Sequence, residues 1–219
     1  MVRINRLPIF PDDYIEDKAE EYDSSKWMER NQKRSTLISI EYLFDERLND
    51  IEDIGTEMGE SSLILDLGCG TGYSSEVLIQ NSFRVVGVDI LNDMLSKARE
   101  KKKISKELKK LELILADINN LPIRNNSVDH IISISSYNFI IHGLENYGEK
   151  VKLLNDTGKN LNNILKNKGR IVIEFYPKDD NELKIFNKSF INNGFEGFVV
   201  KNKPKQKSGQ TFLLLKKRM

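Results

Sequence analysis

One cysteine, two histidines and a single tryptophan are all that this 219-residue chain holds of three chemistry-rich side chains. A lone thiol builds no disulfide frame, and with two imidazoles it falls short of a structural zinc site, so no metal is expected and a reducing compartment is. Neither sign of charge dominates. Thirty-four Lys and Arg against 33 Asp and Glu leave a net charge of +1, so affinity for nucleic acid has to come from local patches. No apolar run approaches the roughly 18 residues of a membrane span, and no hydrophobic segment follows the basic residues near the N-terminus. No membrane association is expected, and the cytoplasm is the default location. What remains, 39% apolar and 31% charged residues, suits a polar globule long enough to bury a full core.

The most informative stretch is Leu63-Ile64-Leu65-Asp66-Leu67-Gly68-Cys69-Gly70-Thr71-Gly72, followed by Val85-Val86-Gly87-Val88-Asp89. An apolar strand runs into a glycine turn that opens a helix, and a second strand ends on an acid. That pattern makes a nucleotide site, because the backbone approaches a ligand where side chains are absent and the second acid accepts from ribose hydroxyls. The dinucleotide fingerprint G-x-G-x-x-G is incomplete in either register, since Tyr73 or Ser75 stands where the third glycine belongs. An acid two residues before G-x-G-x-G instead resembles the first motif of class I S-adenosylmethionine-dependent methyltransferases. The resemblance implies S-adenosyl-L-methionine as cofactor, with Asp66, Gly68, Cys69, Gly70, Thr71 and Gly72 around its methionine half and Asp89 on the ribose. A dehydrogenase or a bare structural turn are the competing readings.

Organisation along the chain supports an α/β protein with a Rossmann-like class I methyltransferase fold. Residues 1–60 read as an N-terminal helical cap: a proline-punctuated Leu7–Pro11, a helical Asp12–Arg30, and an amphipathic Thr36–Phe44 ending before Gly55. Residues 61–219 alternate strand and helix: Leu63–Leu67, Tyr73–Gln80, Arg84–Val88, Asn92–Lys103, Leu111–Ala116, Val128–Ser135, Asp156–Asn167, Gly169–Phe175, Asp180–Asn193, Gly197–Lys201 and Thr211–Lys216. Alternation of this kind predicts a mostly parallel seven-stranded sheet between helices. The last two strands, across a Pro204/Gly209 turn, lie too close for a crossover and predict an antiparallel hairpin. Two segments are locally basic, Lys97–Lys110 and Lys201–Met219. A solvated face explains the first, and phosphate contact is an equal alternative for the second.

Ligands of open α/β sheets sit beyond the carboxyl ends of the strands. There Asp117 is placed to accept from an adenine amino group with the Ile118 backbone beside it, Ile90 packs on the adenine face, and Met94 and Ser133 border the loop; helix capping is the plain alternative for Asp89 and Asp117. Tyr22 and Trp27 of the cap close over the cofactor, or pack against the sheet. At the fourth strand end, Ser135-Ser136-Tyr137-Asn138-Phe139 lacks the Pro-Pro of exocyclic-amine methylation, and the only cysteine, Cys69, lies in the cofactor loop, leaving carbon methylation without a nucleophile. An acceptor such as guanine N7 carries a free lone pair, so alignment and water exclusion suffice and no general base is required. Tyr137, Asn138, Phe139 and Tyr176 then form the guanine wall. His142 reads as a packing or surface residue.

Beyond the cofactor loop, the chain resembles the eukaryotic small-subunit (18S) ribosomal RNA guanine-N7 methyltransferase family, the bud-site-selection type. The similarity runs through Leu7-Pro8-Ile9-Phe10, Ala19-Glu20-Glu21-Tyr22, Met28-Glu29-Arg30-Asn31-Gln32, Gly87-Val88-Asp89-Ile90, Leu115-Ala116-Asp117, Ile131-Ile132-Ser133-Ile134-Ser135, Phe175-Tyr176-Pro177 and Asn193-Gly194-Phe195. It departs after Ser135, where the family usually shows a small residue, Leu, Gln and Trp. The resemblance implies an rRNA guanine as substrate and a small zinc-binding activator protein as partner, for which the Leu111–Leu115 edge strand offers open backbone groups. A methyltransferase of a quinone or metabolite, and a weakly catalytic RNA-assembly factor, are the alternative functions.

Overall fold

A computed structural model of the chain describes residues 9–49, 62–202 and 210–218. Leu7, Pro8, Gly55, Pro204, Gly209 and the tail lysines Lys203, Lys205 and Lys207 lie outside the described residues.

Period-two burial in the strands sets the architecture. Leu65, Ile131, Ile171, Ile173, Leu213 and Leu215 face one apolar cluster, whereas their chain neighbours Ile64, Ile132, Val172 and Leu214 face another. Strands buried on both faces need covering layers on both, which is why they read as near-continuous apolar runs. They are β1 (Leu63–Leu67), β2 (Arg84–Asp89), β3 (Glu112–Leu115), β4 (Val128–Ile134), β5 (Leu165–Phe175), β6 (Phe195–Asn202) and β7 (Gln210–Lys217). They form one seven-stranded sheet in the order β3-β2-β1-β4-β5-β7-β6. Pairing is parallel from β3 to β5, and β7 pairs antiparallel with both β5 and β6. This is the mixed sheet of class I methyltransferases, with the expected antiparallel C-terminal pair. The order reverses beside β1, placing the switch-point crevice at the glycine turn.

The helices are α1 (Asp17–Ser24), α2 (Lys26–Leu43), α3 (Tyr73–Gln80), α4 (Asn92–Ile104), α5 (Tyr147–Ile164) and α6 (Asp180–Asn192). Leu154 and Leu161 of α5 and Phe186 and Phe190 of α6 join the first cluster, whereas Leu43 of α2 and Leu78 of α3 join the second. The expected helix Asp12–Arg30 is two. Ser25 ends α1 and its Oγ accepts from Met28 N at 3.4 Å to open α2, a side-chain cap of the usual kind. From there α2 runs unbroken to Leu43 across residues 31–35, which carry no apolar stripe. Its buried face there is Ser35, Thr36 and Ser39, small polar side chains that periodicity in hydrophobicity does not register. The expected Asp156–Asn167 helix instead starts at Tyr147, capped by Asn146, and ends at Ile164, where β5 begins. Among the described residues no helix is long and apolar enough to cross a membrane.

A polar group inside the core has a pH signature. His130 of β4 is 6% exposed and its Nδ1 accepts from Arg170 N at 3.3 Å; burial pushes its pKa down to about 4. Between about 6.5 and about 4 the folded state therefore binds fewer protons than the unfolded chain. This group's stabilisation is intact at neutral pH and is lost as the pH falls through that window, by up to about 3 kcal/mol. Urea unfolding of His130→Gln, which keeps an acceptor for Arg170 N, should show a shallower loss between pH 6.5 and 4 than the native chain, and equal slopes would reject the assignment.

Candidate functional site

At the switch point the chain leaves β1 in the left-handed region, with φ of 69° at Gly68, 54° at Gly70 and 87° at Gly72. Side chains are excluded there for reasons of space as well. A Cβ on Gly68 would lie 2.3 Å from Ser136 Cβ, and one on Gly70 would lie 3.2 Å from Met94 Cε. The turn is bound to β2: Gly68 N and Cys69 N donate to Val88 O at 2.8 and 3.0 Å, and Gly70 N donates to Asp89 Oδ2 at 2.9 Å. Asp89 Oδ1 accepts from Leu91 N at 2.8 Å, and burial raises its pKa. Each oxygen keeps a second lone pair for a ligand hydroxyl. Beside it Ile90 stands 49% exposed at the strand end, an apolar face toward solvent without a protein partner in the core.

Asp66 lies fully buried under the loop. Ser74 and Ser75, in the first turn of α3, both donate to its Oδ2 at 2.6 Å, whereas Oδ1 has no partner among the described residues. Burial pushes its pKa up to about 6. A buried acceptor left unpaired costs on the order of 1–3 kcal/mol. Such an unpaired acceptor, beneath a turn whose backbone carries no side chains at Gly68, Gly70 and Gly72, fits a polar nucleoside cofactor.

The structure sorts the remaining expected residues into two groups. Met94 packs at Gly70, Tyr22 is close enough to Asp89 that the carboxylate helps burial raise its phenol pKa, and Asp117 stands exposed at the end of β3. Asp117 Oδ1 accepts from Asn119 N at 2.9 Å and Nδ2 at 3.0 Å, so a local turn uses one oxygen and Oδ2 is left open. Thr71 is 1% exposed and accepts from Lys101 Nζ at 3.3 Å. Others turn away. Ser133 is fully buried and donates to Leu67 O at 2.9 Å, fastening β4 to the root of the loop. Cys69 packs against Gly87, and the Ile118 side chain belongs to the core while its backbone follows Asp117. Trp27, in the first turn of α2, stands 64% exposed rather than packed into the core. Tyr137 is not part of the wall either. Its ring is fully buried against Phe186 and Phe190, at 5.7 and 5.6 Å between centroids, since the short helical turn Tyr137–Ile141 directs this residue onto α6.

Asn138 and Tyr176 do meet. Asn138 Nδ2 donates to Tyr176 O at 3.0 Å and Tyr176 N donates to Asn138 Oδ1 at 2.9 Å, binding the ends of β4 and β5 together. Phe139 stacks on Phe10 with centroids 4.9 Å apart and planes 19° apart, and Tyr14 approaches it edge-on at 5.7 Å. Sequence reading missed Phe10 and Tyr14 as wall partners because their contact spans most of the chain.

Two more groups escaped it. Lys101 lies within the basic segment taken for a solvated face, yet it pairs with Asp23 of α1 and places its ammonium 3.4 Å from the Tyr73 ring centroid. Glu16 N donates to Asp93 Oδ2 at 2.7 Å and Glu20 pairs with Lys97. Positions 93, 97 and 101, one helical turn apart, thus dock α1 on α4. Glu174 is fully buried at the end of β5; its one sequence signal is an acid inside Ile171-Val172-Ile173-Glu174-Phe175. Of the basic tail, Lys217 donates to Asn162 O and Leu165 O, both at 2.8 Å, and Lys216 and Arg218 pair with Glu196, so these described cations serve the chain's own structure.

Comparison with known proteins follows the same lines. A family model described as a methyltransferase domain matches residues 60–211. The 18S rRNA (guanine(1575)-N(7))-methyltransferase of Saccharomyces cerevisiae is 31% identical over 89% of this chain and 64% of its own length. The 18S rRNA (guanine-N(7))-methyltransferase bud23 of Schizosaccharomyces pombe is 30% identical over 75% of this chain and 64% of its own length. The chain thus spans a little under two thirds of these relatives. Among solved structures, magnesium protoporphyrin IX methyltransferase from Synechocystis PCC 6803 with bound SAH superposes with a TM-score of 0.64, covering 94% of this chain and 96% of that one at 15% identity. At that identity the likeness speaks for the fold.

The glycine turn has a direct test. Gly68→Ala drives a Cβ into Ser136 and should cost about 3 kcal/mol or more in urea unfolding. Gly143→Ala has a similar φ of +77° but nothing within 4 Å of the new Cβ, and should cost about 1–2 kcal/mol. Equal losses would mean that strain alone, not the close approach, selects glycine at position 68.

Proposed function

The chain belongs to the methyltransferase domain family, and from that premise we propose that it transfers a methyl group from S-adenosyl-L-methionine to N7 of a guanine in small-subunit ribosomal RNA. The observation that carries this reading is the extent of the similarity. The match to the yeast rRNA guanine-N7 methyltransferase extends over 89% of the chain, well past the cofactor loop. By contrast, the malonyl-[acyl-carrier protein] O-methyltransferase of Hamiltonella defensa is 40% identical over only 32% of it.

Under this reading Gly68, Gly70 and Gly72 cradle the amino-acid half of the cofactor with Asp66 beneath them. Asp89 takes the ribose, and Ile90, Asp117 and Met94 surround the adenine end. When bound, the cofactor supplies an activated methyl on a sulfonium. The chain's own part is to bind, orient and exclude water. Guanine N7 has a free lone pair, so no proton must leave before attack, and alignment supplies most of the effect. Phe139 and Tyr176, with Asn138 joining their strands, offer the faces for an unstacked base, and aromatic stacking contributes roughly 1–3 kcal/mol per base. In Asp89→Ala, Gly70 N and Leu91 N lose their acceptor together with the ribose. S-adenosylmethionine at about a hundred times its Kd should stabilise the native protein by about 2.7 kcal/mol in thermal melts, and Asp89→Ala should lose that gain. Label from methyl-tritiated cofactor should enter small-subunit RNA as 7-methylguanosine; label in small organic molecules alone would refute the RNA reading.

The sheet edge supports a reading of where a partner would bind. β3 is an edge strand, Glu112–Leu115, with Leu115 53% exposed; Leu111, once counted in it, is buried just before it. An open edge with an apolar outward side chain supports strand addition by a small zinc-binding activator protein. Leu115→Glu should abolish co-purification of such a protein without lowering the melting temperature of the isolated chain, and undiminished co-purification would place the partner elsewhere.

A further inference from the structure

A carboxylate with no contact to solvent sits directly behind the acceptor wall, and the methyl-transfer reading has so far given it no task. Glu174 is 0% exposed. Its Oε1 accepts from Ser35 Oγ at 2.9 Å, from Tyr176 Oη at 3.0 Å and from Gln210 Nε2, and its Oε2 accepts from Ser135 Oγ at 2.6 Å. Gln210 Nε2 also donates to Ser35 Oγ at 2.6 Å. Every one of these partners is neutral. The elements they belong to are α2, β7, the turn after β4 and the end of β5, so one side chain joins the helical layer to both strand ends that flank the acceptor wall.

Among the described residues no cation pairs with Glu174, and a buried carboxylate held by neutral groups is costly and persists only when its hydrogen bonds are well made. Here two of the bonds act on residues under strain or exposure. Ser135 holds a φ of +56°, unfavourable for a side-chain-bearing residue, and its N donates to Glu174 O at 3.1 Å besides the Oγ bond. Tyr176 is 51% exposed and lines a cavity of about 330 Å³ with Lys178, Lys201 and Thr211. A half-exposed ring otherwise samples several rotamers. Its hydroxyl, anchored on Glu174, leaves one orientation.

We propose that Glu174 is a positioning residue for methyl transfer: it locks the Tyr176 ring and the Ser135 turn in the orientation that aligns the acceptor base. The inference rests on the proposed RNA reading for its kinetic part and on the geometry alone for its structural part. Ring order is the direct consequence. A platform free to rotate still offers stacking area but no longer holds the base in line, so loss of the anchor acts on kcat more than on KM.

The test uses the full chain with carbon-13-labelled tyrosine and three variants. Tyr176→Phe removes only the hydroxyl that meets Glu174 and identifies the Tyr176 ring resonance. Glu174→Gln keeps shape: its oxygen accepts from Tyr176 and Ser35 while its amide donates to Ser135 Oγ. Glu174→Ala removes the hub. The Tyr176 resonance should stay displaced from the free-tyrosine position in the native protein and in Glu174→Gln, and should move to it in Glu174→Ala. With small-subunit RNA and labelled cofactor, kcat should fall about tenfold in Tyr176→Phe and in Glu174→Ala, with cofactor Kd unchanged and RNA KM within twofold, and Glu174→Gln should restore it to within threefold of native. Full activity in Tyr176→Phe, or an unmoved Tyr176 resonance in Glu174→Ala, would overturn the inference. So would a Glu174→Gln protein as impaired as Glu174→Ala. An ordered ring in a native protein that labels no RNA would instead count against the RNA reading. If Glu174→Ala does not fold, the Tyr176→Phe and Glu174→Gln arms decide the matter.

Discussion

Everything at the cofactor end depends on one short exchange of backbone hydrogen bonds between two neighbouring strands. Gly68 and Cys69 turn their N–H groups onto Val88 O, and Gly70 turns its own onto the Asp89 carboxylate. The glycine loop is therefore held by β2 rather than by its own helix, and the acid that ends β2 is held by the loop. Neither part keeps its shape without the other. The arrangement demands glycine on steric grounds, with Ser136 and Met94 occupying the space a side chain would need, and it leaves the Asp89 carboxylate correctly placed but not saturated. Preorganisation of this kind limits the ordering needed when a ligand arrives.

The helical cap uses a different physics. α1 is short, only 8 residues, and an isolated helix of that length is not stable in water. What docks it on α4 is a ladder of charge and hydrogen bonding, Glu16 to Asp93, Glu20 to Lys97 and Asp23 to Lys101. The outer pairs are exposed and contribute little. Lys101 differs. It is largely withdrawn from water, its pKa is lowered by burial, and it touches the cap, the glycine loop and the Tyr73 ring at once. The same cation thus serves fold and site, coupling α1, which carries Tyr22, to the glycine loop. At the ends of β4 and β5 Glu174, fully buried, plays a comparable part with neutral partners, so each side of the site is fastened by one side chain largely withdrawn from water.

Legibility differed from element to element for identifiable reasons. β1, α3, β2 and α4 emerged within a residue or two of their observed bounds, because apolar runs, glycine punctuation and helical periodicity are local signals. α2 was read as two pieces because residues 31–35 carry no apolar stripe and its buried face is Ser35, Thr36 and Ser39, and α5 was placed late because its first turns, from Tyr147, are exposed. Asp89 and the glycines, singled out by their spacing, do meet in one turn. Tyr137 was assigned to the wall because it follows a strand end, but the helical turn after Ser136 rotates it into the core. Trp27 was expected over the cofactor on helix position, and the path of α2 leaves it in solvent. Glu174 was passed over because one acid in an apolar strand says nothing of what surrounds it.

From its order of residues alone this chain specified an alternating α/β sheet, the switch point, and a glycine-and-carboxylate cradle for a nucleoside cofactor. These follow from interactions between residues close in sequence or from strand-end positions common to every such sheet. The tertiary structure decided which aromatics gather beyond the ends of β4 and β5, which lysines bind the chain itself, and where a buried carboxylate gathers Ser35, Ser135, Tyr176 and Gln210. Those contacts join residues far apart along the chain, and whether a polar side chain is buried, paired or free is settled only when the layers close over it.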